Sequence, residues 1–334
     1  MTLELKNDFQ RTPNNLHTWG IAVLFIVTAI WGTSFGLTKG AISSLSASAI
    51  LATRFAVAAL PFTFYLRFLN LSLLRDGVFL GLIIFSVSTF QTVALETSSA
   101  NRAAFIASFN VILVPLLGQM MGRQVLLKTF LAAAIAIFGI GVMCWESGEI
   151  VIGDFLMLGN AFLYSIYILK LESVTLRHPI LPLTAIQLWV IAIVSLIWGA
   201  PDLVRQHETI GANFGVLLYL GLVDTAGTIF LQVVAQRWVN AYETALMYTL
   251  EPIFAAVFSF LVLGEKLGIR GLIGATLVLV AMVFGQSKSP DIEEDTEIQV
   301  NKPIVTALSS ADTEPIKVPV SVLNGNLIES ECDL

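Results

Sequence analysis

Three charged side chains stand well inside apolar runs that are long enough to cross a bilayer: Arg54, Asp224 and Glu251. A charge at the bilayer centre costs about 2.5–3.5 kcal/mol on insertion scales, so each of the three needs a partner or a task. Glu251 precedes Pro252, whose ring removes one helical N–H and frees a carbonyl one turn back. An acid at such a kink could bind an amine or carry a proton. It could equally be structural, paired with Arg54 or bonded to nearby backbone. Asp224 has the same two readings, and Arg54 could face a carboxylate. Asn110, Gln91 and Gln232 could supply hydrogen bonds to a polar solute, although packing is the plainer reading of Asn110. Trp31 and Tyr248 are the aromatic residues best placed to line a cavity; for Phe35, Phe90, Tyr164 and Tyr167 packing is the default.

Other chemistries lack their residues. No HExxH or Walker A pattern occurs, which argues against zinc hydrolysis and ATP-driven pumping. Asp224 has no second aspartate at depth, so an aspartyl dyad is not expected. His17, His178 and His207 fall in polar stretches and read as solvated loop residues. Cys144 and Cys332 are far apart and match no metal spacing. The expectation is a protein that is not an enzyme and uses no cofactor or metal. No basic stripe exists, so no nucleic-acid partner is expected.

The elements that position these residues follow from composition. The chain is 56% hydrophobic and 13% charged, against about a quarter charged in soluble domains. Apolar runs recur at 19–39, 47–68, 77–97, 101–121, 127–145, 154–172, 182–199, 214–236, 242–263 and 270–286. They are continuous rather than alternating, and a segment in lipid must satisfy its own backbone, so the prediction is an all-α bundle of ten transmembrane helices. The first run is too long for a signal-peptide core. With the N-terminus cytoplasmic, nine Lys and Arg fall on the inner side and five on the outer, which predicts both termini inside. Asp224 then lies about ten residues into its helix, or about 15 Å, halfway through a core of about 30 Å. Glu251 lies at a similar depth from the other face. Lys39, Glu96, Arg102, Arg237 and Glu243 fall at helix ends, where they can snorkel. Trp19, Trp145, Trp198 and Trp238 read as interfacial anchors. Ten of the 24 acids follow Gly285, and residues 287–334 read as an acidic, disordered cytoplasmic tail.

Small residues recur at helix-contact spacing: Gly32, Gly36 and Gly40; Gly77 and Gly81; Gly118 and Gly122. They read as bundle packing, and a homodimer is a further possibility. The chain also resembles itself. Ala94–Pro115 aligns with Ala235–Ala256 at an offset of 141, placing Gln91 on Gln232 and Asn110 on Glu251. Five spans per half means that the halves are inverted in the membrane, an arrangement found in secondary transporters with midplane sites.

An ordered set of motifs carries a family resemblance. It comprises Ile30–Phe35 (IWGTSF), Arg54-Phe55, Thr97–Ile106 (TSSANRAAFI), Gly153-Asp154, Leu250–Ala256 (LEPIFAA) and Leu263-Gly264-Glu265. In this order they resemble the EamA-like transporter family of the drug/metabolite transporter superfamily over residues 19–286. The resemblance implies ten helices in two inverted five-helix EamA-type repeats, here 19–145 and 146–286, after a cytoplasmic segment 1–18. It implies a central cavity, alternating access, small-molecule solutes, a membrane-lipid environment and no organic cofactor. Asp224 departs from the family pattern, which is small or uncharged before Thr225. The expected function is a multi-pass cell-membrane (plasma or inner membrane) transporter, an exporter of small amphipathic metabolites such as amino acids, amines or drugs. The alternative is a scaffold or sensor that acts through its acidic tail. Deleting 287–334 separates the two, since a carrier should still move solute.

Overall fold

The computed structural model describes residues 14–122, scattered positions between 128 and 142, and residues 151–264 and 268–286. The fifth apolar run, the acidic tail, Cys144, Trp145, Cys332 and Glu265 lie wholly or largely outside those residues. The described residues are helical, with no strand among them. In chain order the helices are α1 (Asn14–Ile42), α2 (Ala47–Ala59, continued by a 3-10 segment Leu60–Phe68), α3 (Leu71–Thr97), α4 (Ala100–Ala107) and α5 (Asn110–Met120). They continue with α6 (Ile152–Thr175), α7 (Ile180–Arg205), α8 (His207–Ala212), α9 (Phe214–Gly221), a π-helical turn (Leu222–Gly227), α10 (Thr228–Ala235), α11 (Ala241–Met247), a 3-10 turn (Tyr248–Leu250), α12 (Glu251–Leu263) and α13 (Ile269–Gln286).

Seven helical stretches are long and apolar enough to cross a bilayer: Leu16–Ile42, Ala47–Phe68, Leu71–Thr97, Ala100–Met120, Ile152–Thr175, Ile180–Arg205 and Phe214–Ala235. Of the remaining expected spans, 242–263 is divided between α11 and α12, and α13 is a shorter apolar helix. The third helix starts at Leu71 rather than near 77, because the Asn70 side chain caps it by accepting from Leu73 N at 2.8 Å. Many large apolar side chains point outward, among them Ile197 (74% exposed) and Leu261 (72% exposed). A surface of this kind suits lipid rather than water.

Two expected spans are interrupted in the same way. The α4–α5 stretch is capped by Ser99, which accepts from Arg102 N, and breaks at Ser108-Phe109. The α11–α12 stretch is capped by Asn240, which accepts from Glu243 N, and breaks at the 3-10 turn. Pro252 therefore stands in the first turn of α12 rather than kinking a continuous helix, a position where its missing N–H costs no bond.

Gly32, Gly77 and Gly81 act as packing residues within the bundle, whereas a Cβ on Gly40 would meet nothing within 4 Å. A Cβ on Gly32 would come within 2.3 Å of Phe254 Cβ, so α1 and α12 meet there almost backbone to backbone. Gly77 and Gly81 accept Ile186 and Val190 of α7 in the same manner. Gly122, by contrast, ends a helix at φ +85°, a conformation open mainly to glycine.

Candidate functional site

The broken and distorted helices converge on one central cavity of about 80 Å³. A water needs roughly 10–15 Å³ on this measure, so the space suits several waters or a solute of a few heavy atoms. Its wall includes Trp31, Arg54, Gln91, Asn110, Asp224, Gln232 and Glu251, seven of the eight residues singled out from sequence. Tyr248 is the eighth. It is fully buried and packs behind Trp31, with ring centroids 5.0 Å apart, rather than on the wall.

Arg54 and Asp224 form one unit. Arg54 Nη2 donates to Asp224 Oδ2 at 2.5 Å, and Arg54 Nε donates to Thr225 Oγ1 at 2.5 Å. Ser34 of α1 donates to the same Asp224 oxygen at 2.9 Å. The π turn makes this arrangement possible. Thr225 Oγ1 reaches back five residues to Leu220 O at 2.7 Å, and Thr228 Oγ1 donates to Asp224 O at 2.5 Å. A π turn widens the helix locally and is often found at functional sites. Here it presents adjacent side chains, Asp224 and Thr225, to a single guanidinium.

Glu251 is placed differently. It is buried (7% exposed), yet it has no ion-pair or side-chain hydrogen-bond partner among the described residues. The sequence reading that pairs it with Arg54 is therefore corrected: Arg54 is held by Asp224 and Thr225. Glu251 instead occupies the first turn of α12, where the helix dipole favours an acid. Asp224 Oδ1 and Asn110 Oδ1 are also buried without a partner. With all three charged residues ionised, the wall holds two acids against one base.

Aromatic and amide residues close the remaining sides. Trp31 meets the edge of Tyr164 at 5.7 Å, and Tyr164 Oη donates to Gln232 Oε1 at 3.1 Å. Asn160 Nδ2 donates to Val87 O at 2.8 Å. Ser34, Ser88, Asn160, Thr225 and Thr228 also line the cavity, and sequence reading passed over them. Small hydroxyls and lone amides carry little charge signal. Only the one-turn spacing of Trp31 and Ser34 hinted that they share a face.

Two further expectations change. Arg102 does not snorkel: it is buried and pairs with Asp154, itself buried, so that α4 is tied to the start of α6. His178 is not a solvated loop residue either. It is 6% exposed and contacts Asp76 at 2.9 Å, while His17 contacts Glu243 at 3.1 Å.

The fold and cavity define a polytopic, all-helical membrane protein with a polar centre. The chain belongs to the EamA-like transporter family, whose model matches residues 18–145 and 151–284. An uncharacterized transporter of Archaeoglobus fulgidus is 32% identical over 267 residues, covering 78% of this chain and 83% of its own. A second from the same organism is 25% identical over 283 residues, covering 80% and 96%. The uncharacterized transporter YdfC of Bacillus subtilis is 21% identical over 271 residues, covering 78% and 88%. One solved crystal structure superposes with a TM-score of 0.57 at 14% identity, over 80% of this chain and 97% of that one, a likeness of fold alone. Family and relatives make this chain a membrane transporter.

Proposed function

We propose that the protein is a secondary exporter of small amphipathic solutes bearing an amine, including zwitterions, that works by alternating access through the central cavity. The observation that carries this reading is the imbalance of the wall: Asp224 Oδ1 and Asn110 Oδ1 are buried acceptors without a donor, and the buried Glu251 carboxyl has no partner among the described residues. An ammonium supplies a charge and N–H donors together, and such charge-assisted bonds are stronger than neutral ones. A carboxylate on the same solute would find Arg54. Phosphate-bearing solutes fit poorly, because Arg54 is the one base on the wall and Asp224 already engages it.

The proposed architecture is ten helices in two inverted repeats, 19–145 and 146–286. The matching capped-and-broken stretches α4–α5 and α11–α12 support it, since corresponding interrupted helices mark the site in many transporters. The proposed location is the cell membrane with both termini cytoplasmic. Glu251 can hold a proton when the solute is absent and release it when the ammonium arrives, which would couple export to proton uptake.

The test is a panel of amines, amino acids and neutral or anionic controls on purified protein, read first as thermal stabilisation. A solute at a hundred times its Kd should stabilise the fold by about 2.7 kcal/mol. Transport in proteoliposomes follows. Equal response to amines and anions would overturn the substrate class. Transport that is unchanged without a pH gradient, and unchanged in Asp224→Asn and Glu251→Gln, would sink the proton-coupled mechanism.

A further inference from the structure

Among the described residues, two corresponding junctions recur at opposite ends of the bundle, each joining one proposed half, or the helix that leads into it, to the other. At the end where α4 and α6 begin, Arg102 at the start of α4 pairs with Asp154 at the start of α6. At the opposite end, Glu243 at the start of α11 meets His17 at the start of α1 at 3.1 Å. The offset of 141 that relates the halves places Arg102 on Glu243, so these are one junction built twice. The second junction joins the start of a half's third helix to the turn between the other half's first two helices. At the Arg102 end it is Asn213, just before α9, donating to Ser44 at 3.4 Å. At the other end it is Asp76 of α3 with His178 of the α6–α7 turn at 2.9 Å.

The ends thus differ in one respect. At the Arg102 end these junctions are an arginine–aspartate pair and a neutral amide–hydroxyl contact, beside bonds from Ser48 to Asp202, from Ser46 N to Gln206 and from Gly153 N to Thr97; no histidine takes part in the bonds described there. The opposite end is held by a histidine–carboxylate contact at both junctions. The chain has three histidines, and the third, His207, contacts only Val204 O in its own stretch among the bonds described. A guanidinium stays charged in proteins, whereas imidazole changes charge between pH 5 and 8.

We propose that closure of the end where α1 begins is proton-dependent, with His17 and His178 as its latch, and that closure of the Arg102 end is not. The charged groups around the latch are Asp76 on α3, Glu243 on α11, Glu172 on α6, Arg177 in the α6–α7 turn and Arg237 after α10. Glu172 accepts from Ala241 N, and Arg237 donates to Thr175 O and His178 O. Arg177 lies 3.7 Å from Asp76, so one attraction survives at high pH. Raising the pH removes the imidazolium charge and weakens both contacts, and this end opens more often. On the proposed orientation it is the cytoplasmic end, so an alkaline cytosol favours loading from inside.

The experiment uses the full chain with Cys144 and Cys332 replaced by serine and spin labels on cysteines introduced in pairs. One pair, at Leu71 and Leu176, reports the histidine end, where both side chains are exposed. The other, at Gly40 and Gly211, reports the opposite end, where a new Cβ meets nothing within 4 Å. Between pH 5.5 and 8.5 the separated population at the histidine end should rise about threefold to tenfold, as expected for two modest ion pairs, with the other end unresponsive. His17→Gln with His178→Gln should abolish the rise and hold the open-favoured level. Asp76→Asn, which keeps both histidines and the His17–Glu243 contact, should remove only the His178 share of the rise, about half of it. A flat response in the parent chain, an equal response at both ends, or a rise that survives loss of both histidines would overturn the latch. The last of these outcomes would assign the pH response to the cavity carboxyls.

Discussion

The two acids of the cavity wall stand in contrasting surroundings. Asp224 shares one oxygen between Arg54 and Ser34, and its backbone lies in a π turn braced by Thr225 and Thr228. Glu251 begins a helix after a break, with no partner for its carboxyl among the described residues. Both are buried and both face the same space. Burial alone therefore does not separate a structural charge from one free to act; the partners do. Asp224 is bound into the bundle as half of an ion pair. Its second oxygen still reaches the cavity wall unpartnered, so the pair can orient a solute without breaking. On the proposed mechanism, Glu251 is the acid that exchanges a proton for a cation.

The contrast predicts unequal consequences of mutation. The largest loss should follow Arg54→Ala, which leaves Asp224 buried without its cation. Unfolding of the purified protein in detergent should show about 3–5 kcal/mol of destabilisation. Adding Asp224→Leu should recover much of that stability, and failure to recover would break the view that the pair matters as a pair. Next comes Gly32→Ala. The new methyl must displace Phe254 and the backbone beside it, prising apart α1 and α12, which carries Glu251. A cost of about 1–3 kcal/mol is expected, together with weaker solute stabilisation than in the parent. Ser34→Ala removes one bond to a charged oxygen and should cost about 1.5 kcal/mol, because Arg54 still holds Asp224.

Glu251→Gln should be the smallest in stability, under about 1 kcal/mol, because no described partner loses a bond. Its effect on function should nonetheless be among the greatest, with loss of amine-induced stabilisation and of proton-coupled transport. If Glu251→Gln destabilises as much as Arg54→Ala, the two acids are alike and the contrast fails.

The general features were legible from residues alone. Charge depletion and run length indicated a helical membrane protein, and the ordered motifs pointed to its family. Seven of the eight residues singled out lie on the cavity wall, because a charge or amide at mid-span is costly enough to stand out. The fine structure was not legible. The π turn at Leu222–Gly227 leaves no mark in composition, because an intrinsically unfavourable five-residue spacing is held here by its tertiary partners rather than by the types of its residues. The break before Glu251 was visible as Pro252, but a kink and a fresh helix start share that signal.

Sequence by itself determined that Arg54, Asp224 and Glu251 lie deep in apolar segments, since bilayer energetics act on each segment separately. It could not determine who pairs with whom. Arg54 had two acids at comparable depth, and hydropathy treats them alike. The choice fell to tertiary structure. The close approach of α1 brings Ser34 to Asp224, and the π turn adds Thr225 to the guanidinium's partners. A directional hydrogen-bond network of this kind exists only once three segments are assembled.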